Sequence, residues 1–234
     1  MHSWVALQHG GINVESDNVP VVIVAGGLGT RMKPFSDVLP KPLLMYQDQP
    51  MIKNVLDNFS VRGFRHFIIL LHHQAQMIRT YLDYINTGWQ IDYFYENEPL
   101  GTAGGLFLLK DHITDNFIVC NCDNLGLFDY DNALSNHYKK NLDITVFVKK
   151  IHYQVPLGIV HCDQSGLVSL VEEKPFRDFY FSTGIHIINR RVLMQLPKTF
   201  PVISMPELIN QLSAKKRVGY FDVGESFWAD MSIL

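Results

Sequence analysis

Little in this 234-residue chain points toward nucleic acid, membrane or export. Its 20 Lys and Arg do not outnumber its 23 Asp and Glu, and the net charge is -3. That balance supplies no basic patch, so no nucleic-acid partner is expected. No apolar run approaches the ~20 residues that span a bilayer, so no membrane partner is expected either. The segment Met1-His-Ser-Trp-Val-Ala-Leu lacks a basic region followed by an apolar one, so it does not read as a leader peptide, and a cytoplasmic location is expected. Cysteine is scarce, with Cys120, Cys122 and Cys162 making up the three present. Cys120 and Cys122 share a predicted strand without a second pair or flanking histidines, a poor zinc set, and read as buried reduced thiols. Repeats and heptads are absent, which excludes solenoids and coiled coils. Two familiar phosphate motifs are also missing: neither G-x-x-x-x-G-K-[ST] nor a helix-opening G-x-G-x-x-G occurs.

What is present is 47% hydrophobic residues, enough for one sizeable core, and a distinctive stretch near the start. Val21-Val-Ile-Val24 is β-branched and reads as a buried parallel strand. It breaks into Ala25-Gly26-Gly27-Leu28-Gly29-Thr30-Arg31. Glycines without a Cβ let backbone N–H groups approach an anion closely. Arg31 adds a planar fork suited to phosphate oxygens. Lys41 lies between Pro40 and Pro42, whose rings stiffen the loop that presents its ammonium group. Pro34 follows so closely that the segment predicts a long loop rather than a helix. Together these residues describe a site for several phosphates.

Further along, apolar spacing predicts helices over 51–61, 74–84, 102–109, 131–140 and 205–214, with Asp131 capping the fourth. Strands are predicted over 67–71, 90–95, 117–121 and 144–148. Strand alternating with helix implies βαβ units and a parallel sheet covered on both faces. After Val155 the rhythm changes. Strands are predicted over 158–162, 167–172, 179–188 and 217–222, with Asp163-Gln-Ser-Gly166 as a hairpin turn. Residues 1–18 are polar and unpatterned; they read as a linker, a tag or the stub of an upstream domain, with one domain over 19–234. Ligands of such sheets sit beyond the strands' carboxyl ends. Asp123 follows the 117–121 strand, where a carboxylate inside a phosphate site is a natural Mg²⁺ ligand or else closes an Asx turn. His72 and His73 point apart as strand-end neighbours and do not suit one metal ion. Trp4, Trp89 and Trp228 read as packing residues.

The string Ala-Gly-Gly-x-Gly-Thr-Arg-x-x-Pro with Pro-Lys-Pro downstream resembles the signature of the sugar-1-phosphate nucleotidyltransferases. The likeness continues through Pro99-Leu-Gly101-Thr102-Ala-Gly, Asn121-Cys-Asp123, Leu157-Gly158-Ile-Val, Glu172-Glu173-Lys174-Pro, Ser182-Thr183-Gly184-Ile and Trp228-Ala-Asp230-Met-Ser232. It is most like the branch that guanylylates mannose-1-phosphate or glucosamine-1-phosphate. It implies a Rossmann-like, doubly wound, mostly parallel α/β sheet with inserted antiparallel strands, of the glycosyltransferase-A-like nucleotidyltransferase type.

The resemblance also implies roles. Ala25, Gly26, Gly27, Gly29, Thr30 and Arg31 would hold the nucleotide phosphates. Glu96, Pro99, Gly101 and Thr102 would form the base loop, with Glu96 accepting from guanine N1–H and N2–H₂. Asp123 and Asp230 would share one Mg²⁺, and Gly158, Glu173, Lys174, Thr183 and Gly184 would line the sugar-phosphate pocket. Arg31, Lys41 and Lys174 would act as the catalytic cations. The expected substrates are a nucleoside triphosphate, GTP, and a sugar-1-phosphate, with pyrophosphate released. Uridylyl, thymidylyl or adenylyl transfer to glucose-1-phosphate, and a non-catalytic nucleotide-sugar sensor, are the alternatives. Departures are Cys122 and Ser232 where glycine is usual, and Leu157 and Ser182, which leave the sugar open. A homo-oligomer is compatible with the sequence, which carries no signal for or against it.

Overall fold

The computed structural model describes residues 19–86, 88–196 and 202–232; the predicted stub at 1–18, including Trp4, lies outside them. Seven strands form the central sheet: β1 (Val21–Val24), β2 (His66–Leu71), β3 (Gln90–Tyr95), β4 (Phe117–Asn121), β5 (Ile144–Gln154), β6 (Phe176–Ile188) and β7 (Val218–Asp222). Their order is β7-β5-β6-β4-β1-β2-β3. The pairs β4-β1, β1-β2, β2-β3 and β7-β5 are parallel, whereas β6 runs antiparallel to both β4 and β5. The sheet is thus the expected mostly parallel α/β sheet with an antiparallel strand inserted.

β1 shows why its sequence is uninterrupted by polar residues. Val21 and Ile23 enter one core and Val22 the other, all three with no solvent exposure. A strand covered on both faces needs apolar side chains at every position. The first core is closed by α1 (Met51–Ser60), α2 (Ala75–Ile85) and α3 (Tyr130–Lys139). α1 contributes Ile52, Val55, Leu56 and Phe59, the i, i+3, i+4, i+7 spacing of one helical face. The second core is closed by α4 (Met205–Ser213) through Met205, Leu208 and Leu212. α4 opens with a reciprocal cap: Glu207 N–H donates to Ser204 Oγ (3.3 Å), and Ser204 N–H to Glu207 Oε2 (2.7 Å).

Several expectations are corrected. Asp129, not Asp131, caps α3, its Oδ1 accepting from Asn132 N–H (3.1 Å); Asp131 falls within the first turn. The predicted 102–109 helix is a single α-turn, Gly101–Gly104, running into a 3₁₀ segment, Gly105–Leu109. Two successive glycines weaken a regular helix there. The segment after β1 is a long loop rather than a helix, as expected, and it carries short turns: Thr30–Met32 and Lys41–Leu43 are 3₁₀ turns flanking a helical turn at Phe35–Val38.

β5 and β6 are both longer than predicted. Their outer parts pair with each other from Val148↔Ser182 to Gln154↔Phe176, forming an exposed arm. The hairpin Ile159–Cys162 and Val168–Glu172 sits at its end. Its turn is closed as expected, with Asp163 Oδ1 accepting from Ser165 N–H (2.9 Å) and Leu167 N–H (3.0 Å).

Candidate active site

Parallel registry brings the glycine loop and the acidic loop to one edge. Val24 is level with Leu70 on one side and Asn121 on the other, and Leu71 is level with Tyr95. The segments that follow these residues therefore emerge together. Because β6 is antiparallel, the residues just before Ile185, which pairs with Cys120, reach the same edge.

A cavity of about 150 Å³ opens there, lined by Gly27, Arg31, Lys41, Thr102, Asp123 and Asp230. A second, of about 190 Å³, shares Gly27, Arg31 and Lys41 and adds Gly29, Thr30 and Ser232. Lys41 Nζ and Asp123 Oδ2 form a direct ion pair between side chains that are 14% and 4% exposed. The loop is folded so that Lys41 can reach: Gly29 has a φ of +64°, and a Cβ there would stand 2.9 Å from the Lys41 Cβ. Glycine satisfies both demands. Among the described residues nothing lies within 4 Å of where a Gly27 Cβ would be, so its backbone borders open space.

Asp230 is delivered by a short strand, Trp228–Asp230, that pairs antiparallel with Asn124–Gly126 and sets Asp230 opposite Asn124. Met231 N–H donates to the Asp123 carbonyl (2.8 Å), so the two acidic residues are tied through backbone. Asp230 Oδ1 accepts from Ser232 N–H (2.9 Å) and Ser232 Oγ–H (2.7 Å). The serine that departs from the family pattern thus orients the carboxylate. Trp228, expected only to pack, also donates its indole N–H to the Thr183 carbonyl (3.1 Å). Cys122, between the acidic and strand residues, is buried. Burial first, then the Asp123 charge, pushes its thiol up to about 12, with Lys41 opposing, so it stays protonated.

Beside this lies a larger cavity of about 450 Å³, sharing Thr102, Asn121 and Asp230 and reaching Asn124, Thr183 and Gly184. Gly184 has a φ of +76°, and a Cβ there would fall 1.7 Å from Asn124 Oδ1. Asn124, His186 and Asn210 in this wall were not singled out from sequence. His186 carried a signal: it is the one polar residue in Ile185-His-Ile-Ile188, and it shares a strand face with Gly184.

Glu96 is 8% exposed. Its Oε2 accepts weakly from Leu100 N–H (3.4 Å), and a Cβ at Gly105 would fall 2.0 Å from its Oε1. Burial raises its carboxyl above the ordinary range, opposed by the Leu100 N–H and by His72. It borders a separate small cavity of about 70 Å³ with Tyr95, Glu98 and Leu100. His72 Nδ1 bonds the Glu96 carbonyl (2.9 Å) and so steadies that loop. Gly101 approaches α4's entry, and Thr102 Oγ1 accepts from Met205 N–H (2.8 Å).

Gly158, Glu173 and Lys174 stand elsewhere. All three are exposed on the arm and its hairpin, and none lines the cavities just described. Gly158 and Glu173 neighbour each other, a Cβ at Gly158 lying 3.3 Å from Glu173 Oε2. Lys174 holds a φ of +43°, rare for a residue with a side chain.

The nucleotidyl transferase family model matches residues 20–231. The chain belongs to that family. Among curated proteins it is 30% identical over 218 residues to a mannose-1-phosphate guanyltransferase of Yarrowia lipolytica, covering 90% of this chain and 60% of that protein. It is 29% identical over 221 residues to the mannose-1-phosphate guanylyltransferase catalytic subunit beta of Danio rerio, covering 87% and 61%. The chain thus spans about three fifths of the length of these relatives. Among solved structures, HddC from Yersinia pseudotuberculosis matches with a TM-score of 0.72 at 25% identity, covering 92% of this chain and 94% of that one. Among the described residues no helix is long and apolar enough to cross a membrane.

Proposed function

We propose that this chain transfers a nucleoside monophosphate, GMP from GTP, to a sugar-1-phosphate and releases pyrophosphate. The observation that carries this reading is the joining of two cavities at one sheet edge. One holds Arg31, Lys41, Asp123 and Asp230; the other is larger and almost uncharged; they share Thr102, Asn121 and Asp230. That is the layout needed to bring a triphosphate and a phosphorylated ring together. The relatives' names support guanine and a mannose-type acceptor.

The chemistry needs no covalent nucleophile. A sugar-phosphate oxygen attacks the α-phosphorus, and pyrophosphate departs with the bonding pair on the opposite side. The work of the protein is positioning and charge neutralisation. Backbone N–H groups of 26–30 and the Arg31 fork hold the leaving phosphates. Lys41 draws the two anions together against a repulsion of several kcal/mol at ~4 Å in moderate dielectric. Lys174 would supply a further cation only from the arm. Glu96, a buried carboxylate with one weak N–H partner, suits the paired donors of guanine.

The donor set also fits a hard divalent cation. Asp123 and Asp230 line one cavity, and both bonds from Ser232 fall on Asp230 Oδ1, leaving Oδ2 without a hydrogen-bond partner among the described residues. Mg²⁺ held by these two carboxylates would offset phosphate charge, as this ion does with one or two carboxylates and substrate oxygens.

Pyrophosphate release, measured with each nucleoside triphosphate over a panel of sugar-1-phosphates, tests the reading. Arg31→Ala, at an exposed position, should lower turnover at least ~100-fold with the fold intact. No release with any pair would overturn the proposal in favour of a nucleotide-sugar-binding protein.

A further inference from the structure

Among the described residues two histidines are deeply buried, and they are held differently. His137 is 1% exposed and fully engaged, with Nδ1 bonded to Thr145 Oγ1 (2.8 Å) and Nε2 to Asn116 Oδ1 (3.2 Å). That is a satisfied core histidine. His186 is 5% exposed, lines the 450 Å³ cavity, and its Nδ1 is buried without a partner among the described residues. Its register neighbours are Val119 on β4 and Val146 on β5, which offer the ring no polar group. A buried polar atom left unpaired costs on the order of 1–3 kcal/mol. Such a cost is tolerated where a ligand supplies the missing partner.

The remaining polar groups of the cavity are of one kind. Thr102, Asn121, Asn124, Ser182, Thr183 and Asn210 are neutral, and its floor includes Val119, Val146, Met205 and Ile209. Its one carboxylate among the described residues, Asp230, belongs to the shared wall with the Lys41 cavity. Burial without a compensating charge lowers His186 to about 4, so the ring is neutral near pH 7, one nitrogen donating and the other accepting. Amide, hydroxyl and neutral imidazole groups over an apolar floor match a ring bearing hydroxyls and methine carbons. Apart from Asp230, which the reading above gives to the metal, they offer no counter-charge to an ammonium or carboxylate substituent.

We propose that His186 is a specificity-determining residue that reads a hydroxyl of the acceptor sugar, in a pocket selecting an uncharged polyhydroxyl ring. The inference rests on the transferase reading above and names the acceptor class within it.

The test is steady-state kinetics at pH 7 with GTP and with mannose-1-phosphate, its four monodeoxy analogues, and glucosamine-1-phosphate. Wild type should favour mannose-1-phosphate over glucosamine-1-phosphate in kcat/KM. His186→Phe, which keeps an aromatic ring of similar size, should raise the mannose-1-phosphate KM about tenfold, the effect of one lost hydrogen bond of ~1.4 kcal/mol. The KM for GTP should not change. The same variant should lose wild-type discrimination against one deoxy analogue. At least one of His186→Asn and His186→Gln, which place a neutral polar group near Nδ1 and Nε2 respectively, should recover the low KM. Asn210→Leu, on the exposed side of α4, gives a second probe of the same pocket that does not depend on repacking β6. It too should raise the sugar KM alone. A wild-type chain inert with every sugar phosphate and nucleotide overturns the transferase reading and this inference with it. An active wild type with His186→Phe and Asn210→Leu both within twofold in sugar KM, or with GTP and sugar KM rising equally, overturns the inference alone.

Discussion

Replacing Lys41 by methionine isolates the charge pair at the centre of the site. Methionine keeps most of the stem that packs against Gly29 and deletes the ammonium group. Asp123, 4% exposed at its side chain, is then a buried carboxylate without its cation. Removing one partner of a buried pair costs about 3–5 kcal/mol. The adjoining cavity of about 150 Å³ admits water, which places the expected loss at the lower end, about 3 kcal/mol. For a chain of this size each kcal/mol shifts Tm by about 2–4 °C, so Lys41→Met should melt about 6–12 °C below wild type in a metal chelator. Lys41→Met with Asp123→Asn removes both charges and should recover most of that loss. Added Mg²⁺ should raise the Tm of Lys41→Met more than that of wild type, because the carboxylate no longer has to release an ammonium group. Differential scanning calorimetry on wild type, Lys41→Met and the double variant, with and without Mg²⁺, measures each quantity. A single variant that melts with wild type, or a double variant no more stable than the single, would refute the claim that this pair is a buried, mutually dependent unit.

The other expectations concern neighbouring groups. Gly184→Ala places a Cβ against Asn124 Oδ1 at a φ of +76°. It should cost at least about 1–2 kcal/mol from backbone strain alone and raise the sugar KM, read by thermal melts and kinetics; an unchanged KM would show that Asn124 has room to move. Ser232→Ala removes the hydroxyl that orients Asp230 and should raise the Mg²⁺ needed for half-maximal rate by about tenfold or more. A metal titration indistinguishable from wild type would make that hydroxyl incidental. Burial lowers His137 and His186 to about 4, below the ordinary ~6.5. The unfolded chain then binds more protons between those values. The stability these histidines contribute is complete above about pH 6.5 and is lost as pH falls toward 4, at up to ~1.4 kcal/mol per pH unit for each. Urea midpoints across this range should fall less steeply for His186→Phe than for wild type; parallel curves would contradict the neutral state assigned to that ring.

The sequence made the first half of the fold legible because its constraints are local and strong. β1 is covered on both faces, so Val21 to Val24 could not alternate, and α1 shows an apolar stripe at helical spacing. Where local signals compete, boundaries moved. Asp129 and Asp131 are both suitable caps, and only the backbone geometry at Asp129 lets its carboxylate reach Asn132 N–H. The Gly101 to Leu109 segment carries helical apolar spacing but also Gly104-Gly105. Close packing of Gly105 on Glu96 accompanies a turn and a 3₁₀ segment instead of one helix.

Placement in space was legible only where parallel registry fixes it. Arg31, Lys41 and Asp123 each follow a strand of one parallel set, so strand order alone converges them, and Asp230 joins through its pairing with Asn124. Lys174 has no such constraint. Its motif lies in family order, but order along the chain says nothing about the reach of β5 and β6 beyond the sheet. There the cross-strand pairs Lys149↔Phe181 to Gln154↔Phe176 continue with few core contacts to anchor them. Of the residues the sequence reading missed, His186 stands out only as a lone polar residue in an apolar strand, and Asn124 and Asn210 are legible only through the cavity all three share. A neutral hydrogen-bonding group has no motif of its own; it becomes informative when burial removes water and leaves an atom such as His186 Nδ1 without a partner. Charges announce a candidate phosphate site from sequence, whereas the choice among sugars proposed above rests on uncharged groups whose meaning depends on what surrounds them.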